Sequence, residues 1–257
     1  MKKIIIASAI AGIFAGQAAY AADAAPAPDH AVSFNVGVTN DYRFRGISQT
    51  RMQPAISAGA DYTNNPTGLY AGAWTSNIKW VEDNGGGGSQ EIDIYGGKRG
   101  EINGVSYDVG LIRYYYPSNR LNSSATVSGL VSANTTEVYG QLGYGPAYIK
   151  YSQAVTNFIG WGPGTDGSNY IDIGANQEIK DGYILNVHYG KQVVKNYLNG
   201  LADYSDWKVG VTKDFGLAVV ALAVVGTNAD KTTSGYDFGG RGYLGGTAGV
   251  VTVTKTF

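Results

Sequence analysis

The sequence predicts an all-β protein, a transmembrane antiparallel up-and-down β-barrel of about twelve strands behind an N-terminal signal peptide. Three observations predict it. The 257-residue chain is rich in Gly (38) and Tyr (20), and only 15% of it is charged, against roughly 25% in an ordinary globular chain. Apolar and polar residues alternate with the period of two that a strand imposes. Long polar connections and very short turns then alternate along the chain, the layout of a barrel with long outer loops and short periplasmic turns. A soluble sandwich also alternates within its strands, but it has no reason to sort its connections by length.

Composition narrows the function classes. A mean hydropathy of −0.13, with one long apolar run at the N-terminus, does not fit a bundle of membrane-spanning helices. A formal net charge of −1 gives no basic face, so no nucleic-acid partner is expected. The absence of Cys removes disulfides, thiolate metal sites and Cys nucleophiles together.

The elements follow in order. Lys2 and Lys3 precede the apolar run Ile4–Ala15, and Ala19-Tyr20-Ala21 fits an A-x-A cleavage site, which together make a secretory signal peptide. We expect residues 1–21 to be that peptide, 22–30 a short disordered lead-in and 31–257 the barrel, exported through the periplasm to the bacterial outer membrane. Strand one is expected near 32–42. There Val32, Phe34, Val36, Val38, Tyr42 and Phe44 share one parity, and Ser33, Asn35, Asp41, Arg43 and Arg45 the other. Further strands are expected near 54–63, 69–79, 90–99, 105–115, 134–143, 147–157, 169–179, 183–193, 203–213, 216–227 and 244–257. The short connections hold Gly, Pro, Asn and Asp, as in Tyr144-Gly145-Pro146 and Lys180-Asp181-Gly182, the residues tight turns require. Leu217 to Val225 is apolar on both parities, and Trp74 disagrees with the parity of Leu69, so neither strand can be faced. Tyr42, Phe44, Tyr62, Tyr107, Tyr151, Tyr183, Tyr189 and Trp207 are expected to form lipid-facing aromatic girdles. The alternating end 249–257 closes on Phe257, a candidate signal for the barrel assembly machinery.

The segment Thr39-Asn40-Asp41-Tyr42-Arg43-Phe44-Arg45-Gly46-Ile47-Ser48-Gln49-Thr50, with Pro54-Ala55-Ile56 and the stretch from Gly68 to Asn77, resembles the TorF family of porin-like proteobacterial outer-membrane proteins. The likeness is specific over residues 32–80. It implies an outer-membrane barrel with a channel role, and it supplies no catalytic or substrate-binding residues.

A channel needs a polar lumen. Strand parity directs Asp41, Arg43, Arg45, Glu91, Asp93 and Arg99 inward, followed by Asp108, Glu137, Lys150, Asp172, His188 and Lys208, with Asp61 and Asp206 of the same parity. Charges of both signs in one lumen act as a field across a solute or as a salt-bridged plug, and the sequence leaves both open. Asp41, Arg43 and Arg45, with Arg51 nearby, are the densest cluster. Converging guanidiniums bind carboxylate or phosphate bidentately, or they tie into lumen carboxylates as an internal ion-pair network. Enzyme readings are thin: of the two His, His188 has lumen parity, and no Ser–His–acid spacing stands out. Gly85-Gly86-Gly87-Gly88 lacks the Lys-Ser/Thr of a phosphate loop and reads as a flexible outer loop. No catalytic residue, cofactor or metal site is expected. The reading is therefore a passive diffusion channel for small hydrophilic solutes. The alternative is a closed structural or surface-interaction barrel whose loops 116–133 and 228–243 bind a partner. Outer-membrane lipid, lipopolysaccharide, the assembly machinery and small hydrophilic solutes are the expected partners.

Overall fold

The computed structural model describes residues 28–125, 127–232, 236–237 and 242–257. The expected signal peptide and most of the expected lead-in lie outside the described residues, as do parts of loop 228–243. Pro28 and Asp29, at the end of that lead-in, are tied by their carbonyls to Asn65, and His30 already begins the first strand.

The strand periodicity produces a closed barrel. Its wall is β1 (His30–Thr39), β4 (Ala55–Asn64), β5 (Leu69–Asn77), β6 (Gln90–Ile102), β7 (Val105–Tyr115), β8 (Thr135–Tyr144), β9 (Ala147–Ala154), β10 (Asn169–Lys180), β11 (Tyr183–Val193), β12 (Tyr204–Asp214), β13 (Val219–Thr227) and β14 (Ala248–Thr256). These twelve strands pair antiparallel in chain order, and β1 closes on β14. The remaining two, β2 (Arg43–Phe44) and β3 (Ile47–Ser48), pair only with each other. The short connections gather at one end of the barrel, the turn end. Asn103-Gly104 and Asp181-Gly182 each have positive φ at both positions, as a two-residue hairpin matching the strand twist requires. The long connections gather at the other, the loop end. The seam runs from Asn35↔Thr256 to Thr39↔Thr252. It is extended by Phe257, whose N–H donates to the Phe34 carbonyl at 2.8 Å.

The two faces of the wall are chemically opposite. Outward positions carry exposed Val32, Phe34, Ile56, Ile94, Val109, Leu142, Ile173 and Val209, an apolar band that only lipid can cover at this extent. The two strands that could not be faced resolve simply. In β13, Leu222 and Val224 are exposed while Val225 is buried. In β5, Leu69 points out and Trp74 points in, packed edge-on against Tyr42 at 5.3 Å. The two lie an odd number of positions apart, so their opposite faces need no irregularity.

Three expectations need correction. Strand one ends at Thr39, not near 42. Tyr42 and Phe44 do not join the lipid-facing girdle: Tyr42 is 3% exposed, and Phe44 packs edge-on against Tyr114 inside the barrel. Tyr62, Tyr151, Tyr183, Tyr189 and Trp207 do face outward. Gly85–Gly88 is packed where a free loop was expected. A Cβ on Gly86 would lie 2.7 Å from Leu121 and 2.8 Å from Val81, and its carbonyl accepts the Arg120 N–H at 2.7 Å.

Candidate functional site

The interior is built from the polar face of the wall, a hairpin that enters it, and buried loop residues such as Trp80, Leu121 and Phe158 in the apolar clusters that include the hairpin. After Thr39 the chain turns into the bore, so residues 41–50 are buried apart from a half-buried Phe44. The hairpin β2–β3 turns through Arg45 (φ 47°) and Gly46 (φ 79°). Positive φ is costly for a residue with a Cβ, and Arg45 is held there by its partners. Its guanidinium donates to Glu137 Oε2 and to Gln192 Oε1, both at 2.6 Å, and it stands 4.4 Å from the ring centre of Tyr170 and 4.7 Å from that of Phe44. Burial works to lower the Arg45 pKa, but Glu137, with Tyr114 and Tyr170, more than offsets it and holds the group above its ordinary value. Gly46 has no room for a side chain, because a Cβ would lie 2.8 Å from that of Asp206 and against Thr227. At the base, Arg43 donates to Asp41 at 2.7 Å and to the carbonyls of Gly46 and Gly246. The Ser48 hydroxyl takes the other Asp41 oxygen at 2.6 Å. Asp41, Arg43 and Arg45 therefore do not line one strand face, as parity suggested. They sit inside the barrel on a separate hairpin, in an internal ion-pair network.

The wall supplies the rest. Glu91, Asp93, Arg99, Asp108, Glu137, Lys150, Asp172, His188 and Lys208 all occupy inward positions of their strands. The carboxylates are held mainly by phenols and one imidazole. Tyr70 donates to Asp108 and Tyr95 to Asp61, both at 2.6 Å. Tyr170 donates to Asp206 at 2.9 Å, and Tyr148 to Asp172 at 3.2 Å. His188 bridges Asp172 (Nδ1, 2.9 Å) and Asp206 (Nε2, 3.0 Å). Tyr42 donates to Glu91 at 3.2 Å. Burial first, then Glu91 and Asp93, push the Tyr42 pKa well above its ordinary value, so it remains a donor. Glu91 Oε2, both oxygens of Asp93 and Glu137 Oε1 are buried without a protein hydrogen-bond donor. Among the described residues no group of three His, Asp or Glu is placed to hold a metal ion.

Sequence reasoning missed the inward phenols. The signal was present, since Tyr95 shares the parity of Glu91 and Asp93, Tyr139 that of Glu137, and Tyr170 that of Asp172. Gln192, which takes the second bond from Arg45, had only its parity to mark it.

A family model for bacterial proteins of unknown function, Gcw_chp, matches residues 23–257. The chain belongs to that Gcw_chp family. The comparison with curated proteins found no match. Among solved structures, the chain is similar to the KdgM porin in complex with disordered oligogalacturonate. The TM-score is 0.52 at 7% identity, covering 88% of this chain and 98% of the other. It is similar at lower scores to OccAB2 from Acinetobacter baumannii (0.42, 10% identity, 91% of this chain and 66% of the other) and to LpxR from Salmonella typhimurium (0.41, 9% identity, 88% and 99%). Identities of this order show a shared fold alone, and that fold is a porin-like outer-membrane barrel.

Proposed function

We propose that this Gcw_chp barrel is a passive diffusion channel for small hydrophilic solutes, narrowed towards its loop end by the β2–β3 hairpin. The observation that carries the reading is the condition of the wall cations. Arg99, Lys150 and Lys208 point into the bore, and among the described residues none has a carboxylate within salt-bridge distance. Keeping an unpaired charge dry is costly, so this part of the bore holds water. A barrel that is merely filled closes with apolar or mutually satisfied side chains. In this reading residues 1–21 direct export, the loop end faces outward, and Phe257 is offered to the assembly machinery. Arg113 and Lys191, at outward positions close to the loop end, meet lipopolysaccharide phosphates. The TorF-like segment 39–50 contains the hairpin, which ties that resemblance to the part of the chain that enters the barrel.

The burial of the hairpin favours a second reading, a closed barrel that acts through its loops. Planar-bilayer recordings separate the two. The wild-type protein should give discrete current steps, and replacing residues 41–50 with a short Gly-Ser link should enlarge them. Silence from both proteins, each shown to be folded by its heat-modifiable gel mobility, overturns the channel and leaves the closed barrel.

A further inference from the structure

Two of the wall cations stand directly opposite a carboxylate and do not pair with it. Arg99 on β6 faces Asp108 on β7, and Lys150 on β9 faces Asp172 on β10, each pair in register. In both cases the acid is already engaged: Asp108 accepts from Tyr70, and Asp172 from Tyr148 and His188. The cations turn to aromatic faces instead. The Arg99 guanidinium lies 5.2 Å from the ring centre of Tyr70, and the Lys150 ammonium 4.3 Å from that of Tyr139. The hydroxyls of Tyr70 and Tyr139 bond to each other, so the two cations lie over adjoining rings on one stretch of the wall. A ring face neutralises none of the charge and accepts no strong hydrogen bond. A guanidinium has five N–H donors and an ammonium three. Among the described residues Arg99 spends one, on Thr63 at 3.1 Å, and Lys150 spends none on a protein acceptor. Both residues stand half-buried at inward positions of the wall.

We propose that Arg99 and Lys150 form a binding station for small solutes bearing a carboxylate or phosphate group. Tyr70, Tyr148 and His188 act as positioning residues by occupying the acids that would otherwise neutralise the pair. An oxyanion matches the fork of a guanidinium and the point charge of an ammonium. The rings behind them fix both heads with little freedom to lose on binding. The proposal rests on the channel reading for its access route, but not for the station itself.

The test uses the full-length folded barrel with two probes, inorganic phosphate and succinate. In planar bilayers bathed in potassium chloride, either probe should reduce the current saturably. The Arg99→Gln/Lys150→Gln variant should raise the half-blocking concentration about tenfold or more, the loss expected when charge-assisted bonds are removed. Lys98→Gln, at an outward position of β6, should leave it unchanged. A response to one probe alone assigns the station to that oxyanion. An unchanged half-blocking concentration in the folded double variant overturns the proposal. If the wild type carries no current, the channel reading fails separately. Isothermal titration of the detergent-solubilised barrel then decides the station, and equal heats from wild type and double variant, or none from either, overturn it.

Discussion

Arg45 sits in the left-handed region of φ at the tip of a hairpin where glycine is the usual choice. Its side chain makes that position worth holding, because one guanidinium ties the hairpin to β8 through Glu137 and to β11 through Gln192. Removing one member of a buried ion pair leaves the other charge without compensation and typically costs about 3–5 kcal/mol. Arg45→Ala should therefore lower the urea midpoint of the folded barrel, and Glu137 is the residue it strands. Arg45→Ala combined with Glu137→Gln should recover part of the loss. Equal urea midpoints for wild type and Arg45→Ala would show that the pair does not hold the hairpin. Arg43 is less isolated, since its bonds to Asp41 and to two carbonyls lie at the hairpin's base.

Within one element, the strand imposes a sharper rule than composition does. In β13 the sequence Val219–Thr227 is apolar throughout apart from its last two residues, so the period of two is invisible to a reader of residue types. The wall nonetheless sets Leu222 at 55% exposure and Val225 at 6%. Leu222→Arg places a charge on the lipid face near mid-strand and should destabilise the barrel in bilayers by about 2–4 kcal/mol. Ala223→Arg, one position along and facing the bore, should cost less. Equal losses in reversible unfolding into lipid vesicles would mean that the facing is wrong. The wall strands were legible in the sequence because their faces differ in polarity and their turns are made of Gly, Asn, Asp and Pro. The hairpin was not. Residues 41–45 resume the alternation of β1 beyond Thr39, and only Asn40, a polar residue on the apolar parity, marks where the strand leaves the wall. The clue was local: Arg45-Gly46 between Phe44 and Ile47 is an X-Gly turn flanked by apolar residues. The same blind spot placed Tyr42 and Phe44 in lipid, when their partners are Glu91, Trp74 and Tyr114.

At the scale of the whole molecule, the two ends of the barrel are filled differently. Glu91, Asp93, Glu137 and Asp206 lie in the loop-end halves of their strands, with Arg43 and Arg45 of the hairpin beside them, whereas Arg99, Asp61 and Asp108 lie nearer the turn end. The hairpin is also confined to the loop-end half, where it joins Glu137, Gln192 and Asp206. In the proposed channel the loop end is therefore the end that the hairpin fills, and further along Arg99 and Lys150 stand among Asp61, Asp108 and Asp172. In the channel reading such a passage is a diode in outline, because a voltage and its reverse draw ions through two unlike ends. In identical salt on both sides, current–voltage curves from barrels inserted in one orientation should bend, with unequal currents at equal and opposite voltages. Straight curves through the origin would show that the two mouths conduct alike. Curvature that disappears in concentrated salt, where the Debye length shrinks to about 3 Å, would trace the asymmetry to charge. Curvature that persists would trace it to the shape the hairpin gives the passage, a ratchet cut by the backbone itself.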